Sequence, residues 1–98
     1  MAGVRGCWVT MAEETVTVSN KLGLHARAAA KVVHMAGRYR ATVEIVHGER
    51  QVNAKSILGV MMLAAAKGSV LKIRASGEDA DDAVAGLVAL FVRRFDEE

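Results

Sequence analysis

Four short segments of the chain alternate between polar and apolar residues, which is the period of a strand that buries one face. They cover residues 15–19, 42–46, 51–54 and 70–76. Because each segment is apolar on one side only, we expect a sheet with one covered face and one solvated face. The residues predicted to face the core from the last three strands are Val43, Ile45, Val52, Ala54, Leu71, Ile73 and Ala75.

Three other segments carry apolar residues at spacings of three and four, the period of a helix with one buried side. The first covers residues 26–36, the second is a short one over 57–63, and the third runs from the acidic residues 78–82 to the arginines at 93–94. These charges favour the third helix because they complement its dipole. The predicted buried stripes are Ala29, Val32, Val33 and Ala36 in the first helix, and Ala83, Val84, Leu87, Leu90 and Phe91 in the third.

The order of these elements is therefore β-α-β-β-α-β-α. This order predicts an α+β fold of the open-faced β-sandwich type, with a four-stranded antiparallel sheet and three helices on one face. A chain of 98 residues without proline or internal repeats is expected to form one domain. We assign residues 13–98 to this domain and residues 1–12 to an N-terminal extension, within which Met11 is an alternative start.

The composition limits where in the cell the protein is expected and which kinds of binding site it could contain. No apolar run approaches the roughly 20 residues of a membrane helix, and residues 1–10 lack the apolar centre of a signal peptide. Cys7 is the only cysteine, which excludes an intramolecular disulfide and a cysteine-built metal site. Three scattered histidines do not resemble a zinc site. We expect a cytoplasmic monomer without metal, cofactor or membrane contact.

Charge is unevenly distributed along the chain. Residues 1–40 carry six Lys/Arg against two Asp/Glu, residues 41–75 carry five against two, and residues 76–98 carry two against seven, so +4, +3 and −5 give the net charge of +2. A basic body favours an acidic protein partner. Nucleic acid is not expected, because no aromatic pair lies on a predicted strand face to stack bases.

One histidine stands where a glycine-marked loop becomes the first helix. The first N–H groups of a helix lack intrahelical partners, and the helix dipole is positive there, so this end attracts anions. His25 can carry a phosphoryl group at this position, and Arg27 adds charged donors suited to phosphate. The alternative is that His25 is a polar surface residue with no role in phosphoryl transfer.

Two sequence motifs resemble a known family. Gly-Leu-His-Ala-Arg at residues 23–27 and Asn-Ala-Lys-Ser-Ile-Leu-Gly-Val-Met at 53–61, together with the order of elements, are similar to the histidine-containing phosphocarrier family, HPr, of the bacterial phosphoenolpyruvate-dependent phosphotransferase system. The resemblance covers residues 14–95. Many relatives have proline where this chain has Ala28, which gives high helix propensity without the fixed backbone angle of proline.

The resemblance implies a role for six residues. His25 would take the phosphoryl group on Nδ1 from enzyme I and pass it to downstream carrier domains, with Arg27 stabilising the phosphate. Ser56 would be phosphorylated by a serine kinase, and would also cap the second helix. The implied docking patch for partners consists of Ile57, Leu58 and Met61, of which we expect one or two to be exposed. No second acid–base residue is fixed beside the histidine, so we expect a carrier and not an enzyme.

Two alternatives stay open from the sequence. The protein could be mainly regulatory, in a nitrogen-related or serine-kinase branch without sugar uptake. A βαββαβ domain of this size also suits acylphosphatase-like hydrolases, which bind phosphate in the loop before the first helix. That hydrolase would need an arginine in the loop and a catalytic asparagine, whereas residues 21–24 contain no arginine and Asn53 is the only candidate asparagine.

Overall fold

The structure, a computed structural model, describes residues 10–96. Residues 1–9 of the predicted extension, including Cys7, lie outside this range. Within it, no helix is both long enough and apolar enough to cross a membrane. The elements are β1 (Met11–Thr17), α1 (Ala26–Ala36), β2 (Thr42–His47), β3 (Arg50–Asn53), α2 (Ile57–Met62), β4 (Val70–Ser76), α3 (Ala80–Val92) and a short 3-10 turn (Arg94–Asp96).

The four strands form one antiparallel sheet in the order β1-β4-β2-β3. β4 lies in the middle, where Leu71 pairs with Val16 of β1 and Ile73 pairs with Ile45 of β2. Six of the seven side chains predicted to face the core are buried and Val52 of β3 is half-buried, whereas Lys72 remains partly exposed on the other face. The predicted fold class, a four-stranded antiparallel sheet with three helices, is therefore confirmed.

Most element boundaries agree with the sequence prediction to within one residue, but the first strand differs. It covers Met11–Thr17 instead of residues 15–19. Its first half pairs with β4 through the main chain while Glu13 and Glu14 remain exposed, so the side-chain pattern does not reveal the strand. The chain continues in register beyond it, since the Val18 N–H donates to the carbonyl of Ser69 at 2.9 Å.

The helices bury the predicted stripes with one exchange. All five predicted residues of α3 are buried. In α1, Ala28 is buried and Val33 only half-buried, because Ala28 lies one turn before Val32 and two turns before Ala36 on the buried side of the helix. The ring of Phe91 meets that of Phe95 edge to face, with centroids 4.9 Å apart. This contact fixes the C-terminal turn to the core.

Asp79 joins the start of α3 to the start of β2. Its carboxylate accepts the N–H of Arg40 and the N–H of Ala41, each at 2.8 Å. Gly77 permits this approach, since a Cβ there would lie 2.9 Å from Cα of Ala41. The N–H of Arg40 is the largest influence that lowers the pKa of the Asp79 carboxyl below its ordinary value of 3.8, because it favours the charged form.

Candidate functional site

His25 is the N-cap of α1. Its backbone is extended, with φ −76° and ψ 179°, and its carbonyl accepts the first helical N–H, that of Ala29, at 2.8 Å. The ring nitrogen Nδ1 accepts the backbone N–H of Arg27 at 3.2 Å. A nitrogen that accepts a hydrogen bond carries the lone pair, so the proton of a neutral ring lies on Nε2. The helix end therefore orients the Nδ1 lone pair.

The loop before His25 is held by main-chain contacts. Gly23 has a φ of 67°, and a Cβ at this position would lie 2.5 Å from the carbonyl oxygen of Ala65. The Leu24 N–H donates to the same oxygen at 2.8 Å, and the buried amide of Asn20 donates to the Gly23 carbonyl at 2.8 Å. This close packing of two main chains places His25 at the helix start.

An open cleft of about 910 Å³ surrounds the ring of His25. Three of its lining residues are cations and one is a carboxylate, so the cleft favours an anion beside the positive end of α1. Of the lining residues, only His25 and Arg27 were expected from the sequence. The cleft is lined by Lys21, Leu22, His25, Ala26, Arg27, Lys31 and Asp96.

Lys31 and the C-terminal turn close one side of this cleft. The Lys31 ammonium donates to the carbonyl oxygen of Phe95, which lies 64 positions further along the chain. Lys31 could have been noticed, because a residue four positions after Arg27 lies on the same side of a helix. The contribution of Asp96 could not have been predicted from the sequence, because it depends on how the C-terminal turn packs.

Ser56 caps α2, as the sequence predicts. Its hydroxyl oxygen accepts the N–H of Gly59 at 3.1 Å, and its own backbone is extended, with φ −109° and ψ 115°. Serine is a preferred residue at this position because its side chain partners one of the free N–H groups of the first turn. The hydroxyl is only partly buried, so it lies at the surface of the domain.

The outer side of α2 presents an apolar surface. Ile57, Leu58 and Met61 are 46%, 67% and 43% exposed, and Met62 adds a fourth side chain at 57%. The expectation that only one or two of the three would be exposed is therefore wrong. A helix of six residues makes fewer than two turns, and Val60 alone fills its buried side.

The C-terminal end of α2 is held by the β2–β3 hairpin. Arg50 donates to the carbonyl of Met62 at 2.7 Å, and Nδ1 of His47 lies 3.3 Å from the carbonyl oxygen of Leu63. His47 therefore contacts the main chain, and His34 is exposed on α1. Among residues 10–96, no three His, Cys, Asp or Glu side chains are grouped as a metal site.

A comparison with known families decides what this arrangement belongs to. The family model described as "PTS HPr component phosphorylation site" matches residues 12–93. The chain belongs to the HPr family. HPr proteins are phosphocarriers of the phosphotransferase system and not enzymes, which agrees with a site that offers a histidine at the start of a helix.

Relatives of similar length are named as phosphocarrier proteins. The phosphocarrier protein HPr of Xylella fastidiosa is 48% identical over 88 residues, which cover 90% of this chain and 99% of that protein. The phosphocarrier protein NPr of Shewanella violacea is 43% identical over 91% of this chain and 98% of that protein. The family therefore includes relatives under both names.

Solved HPr structures share the fold. HPr of Thermoanaerobacter tengcongensis aligns with a TM-score of 0.86 at 40% identity, covering 89% of this chain and 98% of that one. A dimer of HPr from the same organism aligns with a TM-score of 0.72, covering 88% of this chain and 99% of that one. The structural comparison thus supports the family assignment over nearly the whole described domain.

Proposed function

We propose that His25 is the residue that carries the phosphoryl group, on Nδ1, and that enzyme I is its donor. The observation that carries this proposal is the 3.2 Å hydrogen bond in which Nδ1 accepts the N–H of Arg27. It identifies Nδ1 as the nitrogen with the lone pair and places it at the positive end of a helix. The neighbouring cations of the cleft favour the charged product.

The proposed transfer exchanges one bond to phosphorus for another. The Nδ1 lone pair forms a bond to phosphorus while the bond between phosphorus and the donor breaks, and the ring keeps its proton on Nε2. The Arg27 N–H that first donates to Nδ1 then donates to a phosphoryl oxygen. The guanidinium of Arg27 donates further hydrogen bonds to the phosphoryl oxygens. The reverse steps deliver the phosphoryl group to a downstream carrier domain.

The proposal is tested by incubating the protein with enzyme I, phosphoenolpyruvate and magnesium. The expected result is a mass gain of one phosphate that is lost in acid. His25→Ala is expected to gain none, whereas His34→Ala, which removes an exposed histidine from the same helix, behaves as the parent. Phosphorylation of the His25→Ala variant would show that another residue is the acceptor.

The same proposal gives Ser56 a regulatory role through phosphorylation by a serine kinase. A phosphate at the start of α2 is tolerated by the helix dipole, so the fold should persist. The charge would lie beside Ile57 and Leu58, which an enzyme I partner would cover, and an acidic partner would be repelled. A penalty of about 2 kcal/mol slows transfer roughly thirtyfold. Ser56→Asp should show a smaller loss at an unchanged melting temperature.

We further infer that the exposed apolar patch Ile57, Leu58 and Met61 is where partners dock, that the carrier acts as a monomer and that it works in the cytoplasm. The patch lies on α2, which packs against α1 and so lies near the cleft of His25. Residues 13–98 form the carrier domain in this proposal. The acylphosphatase-like hydrolase is not favoured, because its only candidate for a catalytic asparagine, Asn53, does not line the cleft. The Oδ1 atom of Asn53 instead accepts the N–H of Lys55.

A regulatory carrier without sugar uptake is the second candidate. It is favoured by the 43% identity to a relative named NPr, beside the relatives named HPr. The two candidates differ in the donor that they prefer. Initial rates of His25 phosphorylation with enzyme I of the sugar-transport branch and with its nitrogen-related counterpart distinguish them, because the faster donor identifies the branch.

A further inference from the structure

Lys31 has an unusual partner for a cation in an anion-binding cleft. Its side chain lines the cleft with His25, yet its ammonium donates to the uncharged main-chain carbonyl of Phe95. It lies one helical turn after Arg27 and is half-buried. A charged oxygen is a stronger acceptor for an ammonium than a neutral carbonyl is. The present partner is therefore one that a phosphoryl group could replace.

The turn that supplies the carbonyl is held in a disfavoured conformation. Arg94, Phe95 and Asp96 have φ angles of 56°, 58° and 61°, in the left-handed region that residues with side chains rarely occupy. Contacts must hold such a turn in place. These contacts include the ring contact of Phe95 with Phe91, the ion pair of Arg93 with Asp96 at 3.0 Å, and the hydrogen bond from the Lys31 ammonium to the Phe95 carbonyl.

We propose that Lys31 is a further phosphate ligand, whose ammonium moves from the Phe95 carbonyl to a phosphoryl oxygen when His25 is phosphorylated. The inference rests on the proposed function, since it requires a phosphoryl group on His25. No covalent bond changes besides the transfer itself, and the ammonium keeps its protons. Arg27 and Lys31 then hold the group from one side of α1, and the C-terminal turn loses one of its contacts.

The partition of phosphate between two proteins tests the ligand role. Phosphorylated parent and unphosphorylated Lys31→Met are mixed in equal amounts with a trace of enzyme I, and mass spectrometry gives the ratio at equilibrium. The parent should retain roughly two- to fivefold more phosphate, the range of an exposed ion pair. Lys31→Arg, which keeps the charge, and Lys72→Met, which removes a lysine from the far face of the sheet, should divide it equally with the parent. Equal division between the parent and Lys31→Met would overturn the proposal.

The movement of the ammonium has its own readout at the C-terminal turn. The Asp96 N–H donates to the Arg93 carbonyl at 3.0 Å, so its hydrogen exchange reports on this turn. Phosphorylation of His25 should accelerate that exchange several-fold in the parent. In Lys31→Met it should already be fast and should not respond. Unchanged exchange in the phosphorylated parent would contradict the transfer of Lys31 between partners.

Phosphoramidate, which phosphorylates imidazoles without any protein donor, separates this proposal from the proposed function. If enzyme I fails to phosphorylate His25, the donor assignment is wrong, and the Asp96 exchange of chemically phosphorylated protein still tests Lys31. If enzyme I succeeds and the exchange and the partition are both insensitive to Lys31→Met, the proposed function stands and the role of Lys31 is wrong.

Discussion

Gly23 determines where His25 lies, because the main chain passes closest to a neighbouring loop at this residue. The carbonyl of Ala65 accepts the Leu24 N–H and occupies the space where a Cβ on Gly23 would be. Two requirements thus coincide at one position, a left-handed backbone and the absence of a side chain. At the residue scale, the position of the histidine therefore depends on this glycine.

A comparison of two glycines separates these requirements. Gly48 has a φ of 63°, close to the 67° of Gly23, but a Cβ there would meet nothing within 4 Å. Gly48→Ala should therefore cost only the backbone strain, about 1 kcal/mol. Gly23→Ala should cost an additional ~1–3 kcal/mol, since main chain must move, and should slow phosphorylation of His25. Urea unfolding of both variants measures the difference in the free energy of unfolding. Equal losses would show that the loop containing Ala65 moves away from the new Cβ without destabilising the fold.

At the scale of elements, α2 has two sides with separate roles. Its exposed side carries the proposed docking patch, and the residues at its buried side and end pack into the core. Leu58 is 67% exposed and Leu63 is 2% exposed, so this short segment has one leucine on its exposed side and another on its buried side. Stability and partner binding should therefore respond to different substitutions in this element.

The two leucines provide the matched pair for that test. Leu63→Ala should lower the free energy of unfolding by about 2–5 kcal/mol, as for other buried leucines. Leu58→Ala should change it by less than about 0.5 kcal/mol, as for other surface sites, but should raise the KM for the protein in its phosphorylation by enzyme I. Denaturant unfolding and initial rates give both quantities. A Leu58→Ala variant with an unchanged KM would mean that the patch lies outside the contact with enzyme I.

Sequence patterns predicted the helices and strands that bury one face. They failed where a strand forms through main-chain pairing alone. β4 and α1 were predicted with the correct bounds, because their buried residues follow one period. The first half of β1 was missed, since Glu13 and Glu14 are exposed and only pairing with β4 makes it a strand. The site divides in the same way. His25 and Arg27 share one motif, whereas the contact of Lys31 with Phe95 depends on tertiary packing across 64 positions.

At the scale of the whole molecule, one carboxylate adds a polar contact between the basic body and the acidic last helix, which also packs on the sheet through its buried apolar residues. Asp79 precedes α3 and accepts two backbone N–H groups at the start of β2. It gives α3 no side-chain cap of its own, so its contribution is to the tertiary structure. Because the N–H of Arg40 holds the pKa of this carboxyl below its ordinary value, folding favours its charged form.

Stability should therefore depend on the charge of Asp79 in a predictable direction. A carboxyl whose pKa is lower in the folded state stabilises fully above its unfolded pKa, near 3.8, and loses this effect as the pH falls through the lower folded value. Asp79→Asn keeps the shape, removes the charge and replaces one of the two acceptor oxygens by an NH2 donor. It should be less stable than the parent at pH 7 and at pH 5, and the difference should shrink below pH 3.8.

Thermal or urea unfolding of both proteins from pH 7 to acid provides the comparison, since the remaining carboxyls are shared and cancel in the difference. Asp82→Asn is the control, because it removes an exposed carboxylate from the first turn of the same helix. It should show little of the pH-dependent difference expected for Asp79→Asn. A difference between the parent and Asp79→Asn that stays constant down to the acid limit would mean that the two hydrogen bonds stabilise the fold without regard to charge.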